Sequence, residues 1–389
     1  MKRKKIAILL PWLKMGGTNK VAIRFMEELV QFCDVTLILS QNVGELLDDV
    51  PKGVRVIIDE MIPFREMFVK DIKGFRIGYV IRDLIYYLRV KTGHDNIDNY
   101  RYIVKRHPHI VKDVFDCAIS YHGQSPERLL NLIYRIHSRK KAVWIHGEMS
   151  FPEDQCRRME KYYRKMDQYF FVSTPTKNAF IQKISIDPQK TTVYYNRLNG
   201  QEILEKSQEA MEDVFSEETV NLLTVGRVSA EKGQDMIPKI VRELNDKGYD
   251  VRWYVIGDGP SLDRLKGLIQ KENVSDRVVL LGVKNNPYPY MKACDYLILT
   301  SRYEGFPNIV LEANSLGKPV FSNSCKGGIN EIIINGSNGL ACDFTNKEDF
   351  QNGLHEFLGT KFDESKIVEL TSSRYSIETI IKKYINFFS

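Results

Sequence analysis

Ser301-Arg302-Tyr303-Glu304-Gly305-Phe306-Pro307-Asn308-Ile309-Val310-Leu311-Glu312-Ala313-Asn314 sets a Gly-x-Pro turn between two glutamates. The residues before it, 295–300 (Asp-Tyr-Leu-Ile-Leu-Thr), form a short apolar run rich in aromatic and branched side chains, which reads as a buried strand. After it, Ile309, Val310, Ala313 and Leu316 recur at helical spacing up to Gly317 and Pro319. Two carboxylates, Glu304 and Glu312, therefore bracket the turn from a strand end to a helix start. Gly305 allows a ligand to approach the backbone, and Pro307 presets φ for the first helical turn. The bare amides of such a helix start attract an anion.

Working outward, 389 residues are too many for one ordinary domain and predict two. The balance of 43% hydrophobic and 27% charged residues is that of a globular protein and excludes a disordered one. The six cysteines are scattered without a Cys-x-x-Cys pair, so they read as reduced core residues of a cytoplasmic protein. The basic and apolar beginning of the chain, interrupted by Pro11 and Lys14, reads as a first strand and not as a leader. A net charge of +6 is compatible with anionic lipid or a phosphorylated substrate, and too mild to indicate nucleic acid.

An α/β alternation runs through both halves. Residues 5–10 read as a strand, followed by Gly16-Gly17 and a helical pattern, a common way to present backbone amides to an anion. Strands over 115–120 and 141–145 lead into Tyr121-His122-Gly123 and His146-Gly147-Glu148. In open α/β sheets ligands bind beyond the carboxyl ends of the strands, which makes His146 a candidate and His122 a weaker one. Residues 61–112 differ, being aromatic and basic, with Ile77, Val80, Ile81, Leu84, Ile85 and Leu88 on one helical face. That face either packs on its own domain or touches an anionic membrane at the inner side of the cell membrane.

The polar, acidic stretch 201–218 reads as an interdomain connection, between a first domain of 1–200 and a second of 219–374. The second half restarts with strands over 220–225, 251–256 and 277–281, each ending in a glycine loop: Gly226-Arg227, Gly257-Asp258-Gly259 and Gly282-Val283. These loops should converge with the Glu304 turn on one sheet edge. Arg227 and Lys232 with helix-start amides suit a pyrophosphate, and a carboxylate suits vicinal hydroxyls, so the ligand profile is a nucleotide diphosphate bearing a polyhydroxylated group. The chain has no P-loop, no Asp-x-Asp at a strand end and no zinc signature, which favours neutralisation by Arg and Lys over a metal.

These residues resemble a family. Glu304, seven residues, then Glu312 looks like the signature of the retaining family 4 glycosyltransferases. Gly226-Arg227 with Lys232-Gly233, Ile256-Gly257-Asp258-Gly259-Pro260, Gly328-Ile329-Asn330-Glu331 and Asn335-Gly336-Ser337-Asn338-Gly339-Leu340 match it in order and spacing. The match is near continuous from about residue 220 to 345 and looser in the first half. The resemblance implies the GT-B fold: two facing Rossmann-like domains with a cleft between them, and a final helix over 375–388 crossing back to the first domain.

It also implies roles. Arg227 and Lys232 would hold the donor pyrophosphate and stabilise the departing nucleoside diphosphate. Glu312 would grip the ribose, and Glu304 with the backbone of Gly305, Phe306, Pro307, Asn308 and Ile309 the transferred sugar. Gly226 and Gly257 would lie against the donor, the backbone near Val283 would meet the base, His146 would serve the donor sugar, and Gly16 and Gly17 the phosphates or acceptor. His146 is followed by Gly147-Glu148 where many relatives carry Asp. The expected activity is metal-independent transfer with retention, from a nucleotide sugar (a UDP-sugar) to a glycan or lipid-linked acceptor in bacterial surface-polysaccharide synthesis, with no cofactor. A nucleotide-sugar epimerase and a non-catalytic sugar-nucleotide or glycan-binding partner are the alternatives.

Overall fold

The computed structural model describes residues 3–59, 61, 64–91, 97–107, 109–149 and 151–376. The chain divides into two compact units, the first ending at Tyr194 and the second starting at Tyr195. In each, apolar runs long enough for a strand alternate with amphipathic helices, and that order drives parallel pairing with helices on the faces.

The first unit runs β1 (Lys4–Leu10), α1 (Gly17–Phe32), β2 (Cys33–Leu39), β3 (Arg55–Ile58), α2 (Phe64–Lys73), α3 (Ile77–Lys91), α4 (Ile97–Arg106), β4 (Val114–Ser120), α5 (Pro126–Tyr134), β5 (His137–Ile145), α6 (Glu153–Tyr163), β6 (Gln168–Phe171), α7 (Thr174–Lys183) and β7 (Thr191–Val193). The strands form one sheet in the order β3-β2-β1-β4-β5-β6-β7, with every pairing parallel. The order reverses between β1 and β4, where Leu9 lies level with Ile38 on one side and Ser120 on the other. Leu10, Ile119, Val143 and Ile145 are buried along these strands. Ser125 caps α5, accepting from the Arg128 N–H, with Pro126 at the first helical position.

The second unit runs α8 (Gly200–Lys206), β8 (Val220–Val225), α9 (Ile237–Asp246), β9 (Val251–Ile256), α10 (Leu262–Lys271), β10 (Val278–Gly282), α11 (Tyr288–Ala293), β11 (Tyr296–Leu299), β12 (Tyr303–Glu304), α12 (Asn308–Ser315), β13 (Val320–Asn323), β14 (Lys326–Gly327), α13 (Ile329–Ile332), β15 (Gly339–Cys342), α14 (Lys347–Gly359) and α15 (Glu364–Tyr375). Its main sheet is ordered β10-β9-β8-β11-β13-β15, all parallel. That repeats the order of the first six strands of the first unit, with the reversal between β8 and β11. Both units are thus Rossmann-like. The polar stretch 201–218 opens in α8, whose Ile203 is fully buried where the helix meets α11 and α12. Pro238 falls in the first turn of α9, the place a helix tolerates it.

Two details differ from the sequence reading, and one alternative narrows. Pro307 stands at the N-cap of α12 with ψ 100°, one residue before the helix, because its ring still suits the φ of −76° there. Tyr375 ends α15 and is buried, instead of opening a further helix. The rest of the helix expected to cross back lies outside the described residues. Most of the apolar face of α3 is turned from its own unit: Ile77, Ile81, Leu84, Ile85 and Leu88 are exposed and Val80 is half-buried, while Asp83 on the other side of the helix is fully buried.

Candidate active site

Glu304 is the last residue of β12, which leaves the carboxyl end of β11 and pairs in parallel with β14. The pairing brings Lys326-Gly327 against Tyr303-Glu304. Gly327 makes it possible: its φ is +120°, and a Cβ there would stand 1.6 Å from the Glu304 carbonyl oxygen. The Gly328 N–H then donates to the carbonyls of Glu304 and Gly305, both at 3.1 Å.

The Glu304 side chain is largely buried, and a carboxylate so placed needs partners. Lys232 Nζ donates to its Oε1 at 2.6 Å, and Ser301 Oγ donates to the same oxygen at 2.6 Å. The neighbouring Cys325 thiol is pushed up to about 12, by burial first and by the Glu304 charge second, so it stays protonated and is not a nucleophile.

Lys232 is delivered by the turn after β8. Its carbonyl accepts from Thr300 Oγ1 at 2.8 Å. Arg302 braces the same turn, donating to the Ala230 carbonyl at 2.6 Å and forking onto both oxygens of Asp235 at 2.7 and 3.0 Å. This ties the β8 loop to the β11 loop across the reversal point of the sheet, where open α/β sheets bind ligands. Arg227 is not drawn to Glu304: it is exposed and pairs with Glu231 on its own turn.

The glycine loops close the same edge. The N–H of Gly226 donates to the Ile256 carbonyl at 2.9 Å, that of Val228 to Asp258 at 2.9 Å, and that of Gly257 to Gly282 at 2.8 Å. Gly257 has φ +144°, and a Cβ on it would lie 1.9 Å from the Gly226 carbonyl oxygen. Val283, just beyond β10, is exposed.

Helix α12 begins at Asn308 with no side-chain cap, the Val310 N–H donating to the Pro307 carbonyl at 3.1 Å, and a helix start of this kind attracts an anion. Asn308 Oδ1 accepts from Asn196 Nδ2 at 2.7 Å. Phe306 is buried, stacked on Tyr195 with centroids 5.2 Å apart and edge-on to Tyr375 at 5.7 Å, so its ring anchors the turn and only its backbone remains for a ligand. Ile309 and Glu312 are half-buried on α12, Glu312 one turn in.

In the first unit, α1 starts at Gly17 with Gly16 as its N-cap and no side-chain cap. His146 follows β5 among Tyr121, Trp144 and His122, at centroid distances of 4.7, 6.0 and 6.3 Å. With its oxygen turned to the loop, Gln124 accepts from the N–H groups of His146 and Gly147 at 3.1 and 2.8 Å, which joins the two histidine loops. Burial, then the neighbouring His122, holds the His146 imidazole well below its ordinary range. Burial and Arg128 push His122 down to about 4. Both rings are therefore neutral at neutral pH. The two histidines singled out from sequence do come together.

Sequence reasoning missed Ser301, Arg302, Asp235 and Asn323, whose Nδ2 donates to the Ser301 carbonyl at 2.9 Å. Arg302 and Ser301 lay inside the quoted stretch, and the polar Ser-Arg pair closing an apolar strand was the available signal. Among the described residues no group of three or more His, Cys, Asp or Glu side chains is placed to hold a metal ion. Nor is any described helix long and apolar enough to cross a membrane.

Residues 206–369 match the family model described as glycosyl transferases group 1. The chain is 28% identical over 235 residues to an uncharacterized glycosyltransferase of Methanocaldococcus jannaschii, covering 56% of this chain and 58% of that protein. It is 29% identical over 205 residues to the N-acetylgalactosamine-N,N'-diacetylbacillosaminyl-diphospho-undecaprenol 4-alpha-N-acetylgalactosaminyltransferase of Campylobacter jejuni, covering 53% of each. These alignments span little more than half the length of either relative. Among solved structures, Anabaena HepE in complex with UDP and glucose superposes with a TM-score of 0.70 at 18% identity, over 99% of both chains. At that identity the likeness speaks to the fold, which is that of GT-B glycosyltransferases.

Proposed function

We propose that this chain, which carries a glycosyl transferases group 1 domain over residues 206–369, transfers a sugar from a nucleotide-sugar donor to a glycan or lipid-linked acceptor. The observation that carries the reading is the junction at Glu304. A lysine, a buried carboxylate and an uncapped helix start meet at the carboxyl edge of one sheet, beside the loops Gly226-Arg227 and Gly257-Asp258-Gly259.

In this reading the donor pyrophosphate takes the charge of Lys232 and Arg227 together with the amides at Asn308. As the bond from the anomeric carbon to the phosphate oxygen breaks, negative charge grows on that oxygen, and preorganised cations there lower the barrier. Glu304 accepts from hydroxyls of the transferred sugar and Glu312 from the ribose, while backbone near Val283 meets the base. The acceptor hydroxyl attacks from the face the diphosphate leaves, which takes up its proton, so configuration is retained and Glu304 forms no covalent intermediate. His146, held neutral, can donate or accept a hydrogen bond with the sugar without adding charge, and the Gly16-Gly17 start of α1 serves phosphate or acceptor.

The donor is a UDP-sugar, in keeping with the UDP bound by the HepE structure, and the setting is surface-polysaccharide synthesis in the cytoplasm at an anionic membrane, in keeping with the Campylobacter relative's lipid-linked acceptor. The test is a screen of UDP-, GDP-, ADP- and CMP-sugars, read by thermal shift and by nucleoside diphosphate release with lipid-linked and glycan acceptors. A specific shift with acceptor-dependent release is expected. Isomerised sugar nucleotide formed without acceptor, or no shift with any donor, would refute the transferase reading.

A further inference from the structure

Helices α2 and α3 lie between β3 and β4; α2 buries Met67 beside Asp71, while α3 turns its charge inward. The inward side of α3 carries Asp83, fully buried, and α2 carries Asp71, 2% exposed. Arg106 of α4 reaches both carboxylates, Tyr102 donates to Asp83 at 2.8 Å, and Arg76 lies 3.8 Å from Asp71. The guanidinium of Arg106 also lies over the rings of Tyr79 and Tyr102, at 5.0 and 5.6 Å. The helix pair is thus fastened to its unit by charge.

A ridge of apolar residues on α3 goes the other way. By the 3.6-residue period Ile77, Ile81, Leu84, Ile85 and Leu88 lie opposite Asp83. Each is about half or more exposed, and Phe75 at the α2–α3 corner is 89% exposed. Isolated exposed side chains of this kind are ordinary, but a ridge of five on one helix marks an interaction surface.

The charges around the ridge select its partner. With both aspartates buried against Arg106, the exposed charged side chains over 64–88 are Arg65, Lys70, Lys73, Arg76 and Arg82 against Glu66 alone. A second copy of this face would oppose cation to cation. An anionic lipid surface takes the ridge into its acyl boundary and the basic rim into its headgroups. We infer that the α2–α3 pair is the surface by which this chain docks on an anionic membrane, which assigns the membrane contact of the proposed function to a defined face.

The test is co-sedimentation of the full chain, without donor, with vesicles of phosphatidylcholine alone and of equal parts phosphatidylcholine and phosphatidylglycerol. Wild type should pellet with the anionic vesicles alone, and less so as salt rises. Substituting Lys70→Gln, Lys73→Gln and Arg82→Gln together should weaken the partition about a hundredfold. Substituting Ile81→Ser, Leu84→Ser and Leu88→Ser should weaken it more than about tenfold. All six side chains are exposed, so melting temperature should hold in both variants. Absence of wild-type binding, or either variant binding as wild type does, overturns the inference. So does a wild-type dimer in sedimentation velocity that the serine variant converts to monomer, since a second copy would then cover the face. UDP titration separates this from the donor reading: wild type that fails to bind UDP but pellets with anionic vesicles sinks only the latter.

Discussion

Two buried carboxylate clusters invite comparison. Glu304 is held by Lys232 and Ser301 at the carboxyl edge of the second sheet, while Asp71 and Asp83 are held by Arg106 beneath α3 in the first unit. The chemistry of the side chains is alike, yet their surroundings differ. The Glu304 cluster sits at a strand-order reversal, beside glycine loops and an uncapped helix start, and Lys232 keeps 29% of its side chain exposed. The Arg106 cluster is shut in, with Asp83 fully buried, and the apolar ridge of α3 lies on the other side of the helix. A buried ion pair is therefore no sign of catalysis by itself. Its place on the sheet and its access to a ligand decide.

The comparison can be broken by removing one partner from each cluster. Asp83→Ala leaves Arg106 with one carboxylate in a closed site and should cost about 3 kcal/mol in urea unfolding. It should leave UDP affinity at the wild-type value. A loss below about 1 kcal/mol would mean that α3 is not fastened through this cluster. Lys232→Met should lower kcat/KM about a hundredfold, the scale of one lost transition-state donor, while the circular dichroism spectrum stays that of the wild type. Near-normal turnover would take Lys232 out of the mechanism.

Ser301 sharpens the contrast because it touches only Glu304's side. Ser301→Ala should lower kcat/KM about tenfold by loosening the carboxylate, and Ser301→Thr should restore part of it. An unchanged rate in Ser301→Ala would show that Lys232 alone positions Glu304.

The smallest expected effect is a pH dependence in the first unit. His122 titrates at about 4 in the fold against an ordinary value of 6.5, so the unfolded chain binds the extra proton first as pH falls. Stability is thus full above about pH 6.5 and declines toward pH 4, with about 1 kcal/mol lost by about pH 5.5. His122→Gln should make that part of the profile of unfolding free energy shallower, His146, also held low by burial, keeping the rest of the slope. An unaltered slope would place the titration elsewhere.

The sheets were legible because β-strands of this buried type leave continuous apolar runs. Residues 220–225 and 251–256 read directly as β8 and β9, and the glycine loops after them marked the edge. The two-residue pairing of β12 with β14 was not legible, since such a bridge has no periodicity and depends on Gly327 folding back against Glu304. Arg302 was missed for a related reason: its partners Ala230 and Asp235 are distant in sequence and meet it only when β8 and β11 become neighbours. The period of α3 gave its two faces, but not which one turns inward. In the fold Asp83 turns inward to meet Arg106 on a different helix, a partner that no pattern within α3 announces.

The most direct measurement of the account is calorimetric titration of UDP into wild type and Lys232→Met. Saturable binding to wild type, weakened about tenfold or more in the variant, is the predicted result. Equal affinity in the two proteins, or no binding by wild type, would contradict the claim that the Lys232–Glu304 edge receives the nucleotide-sugar donor.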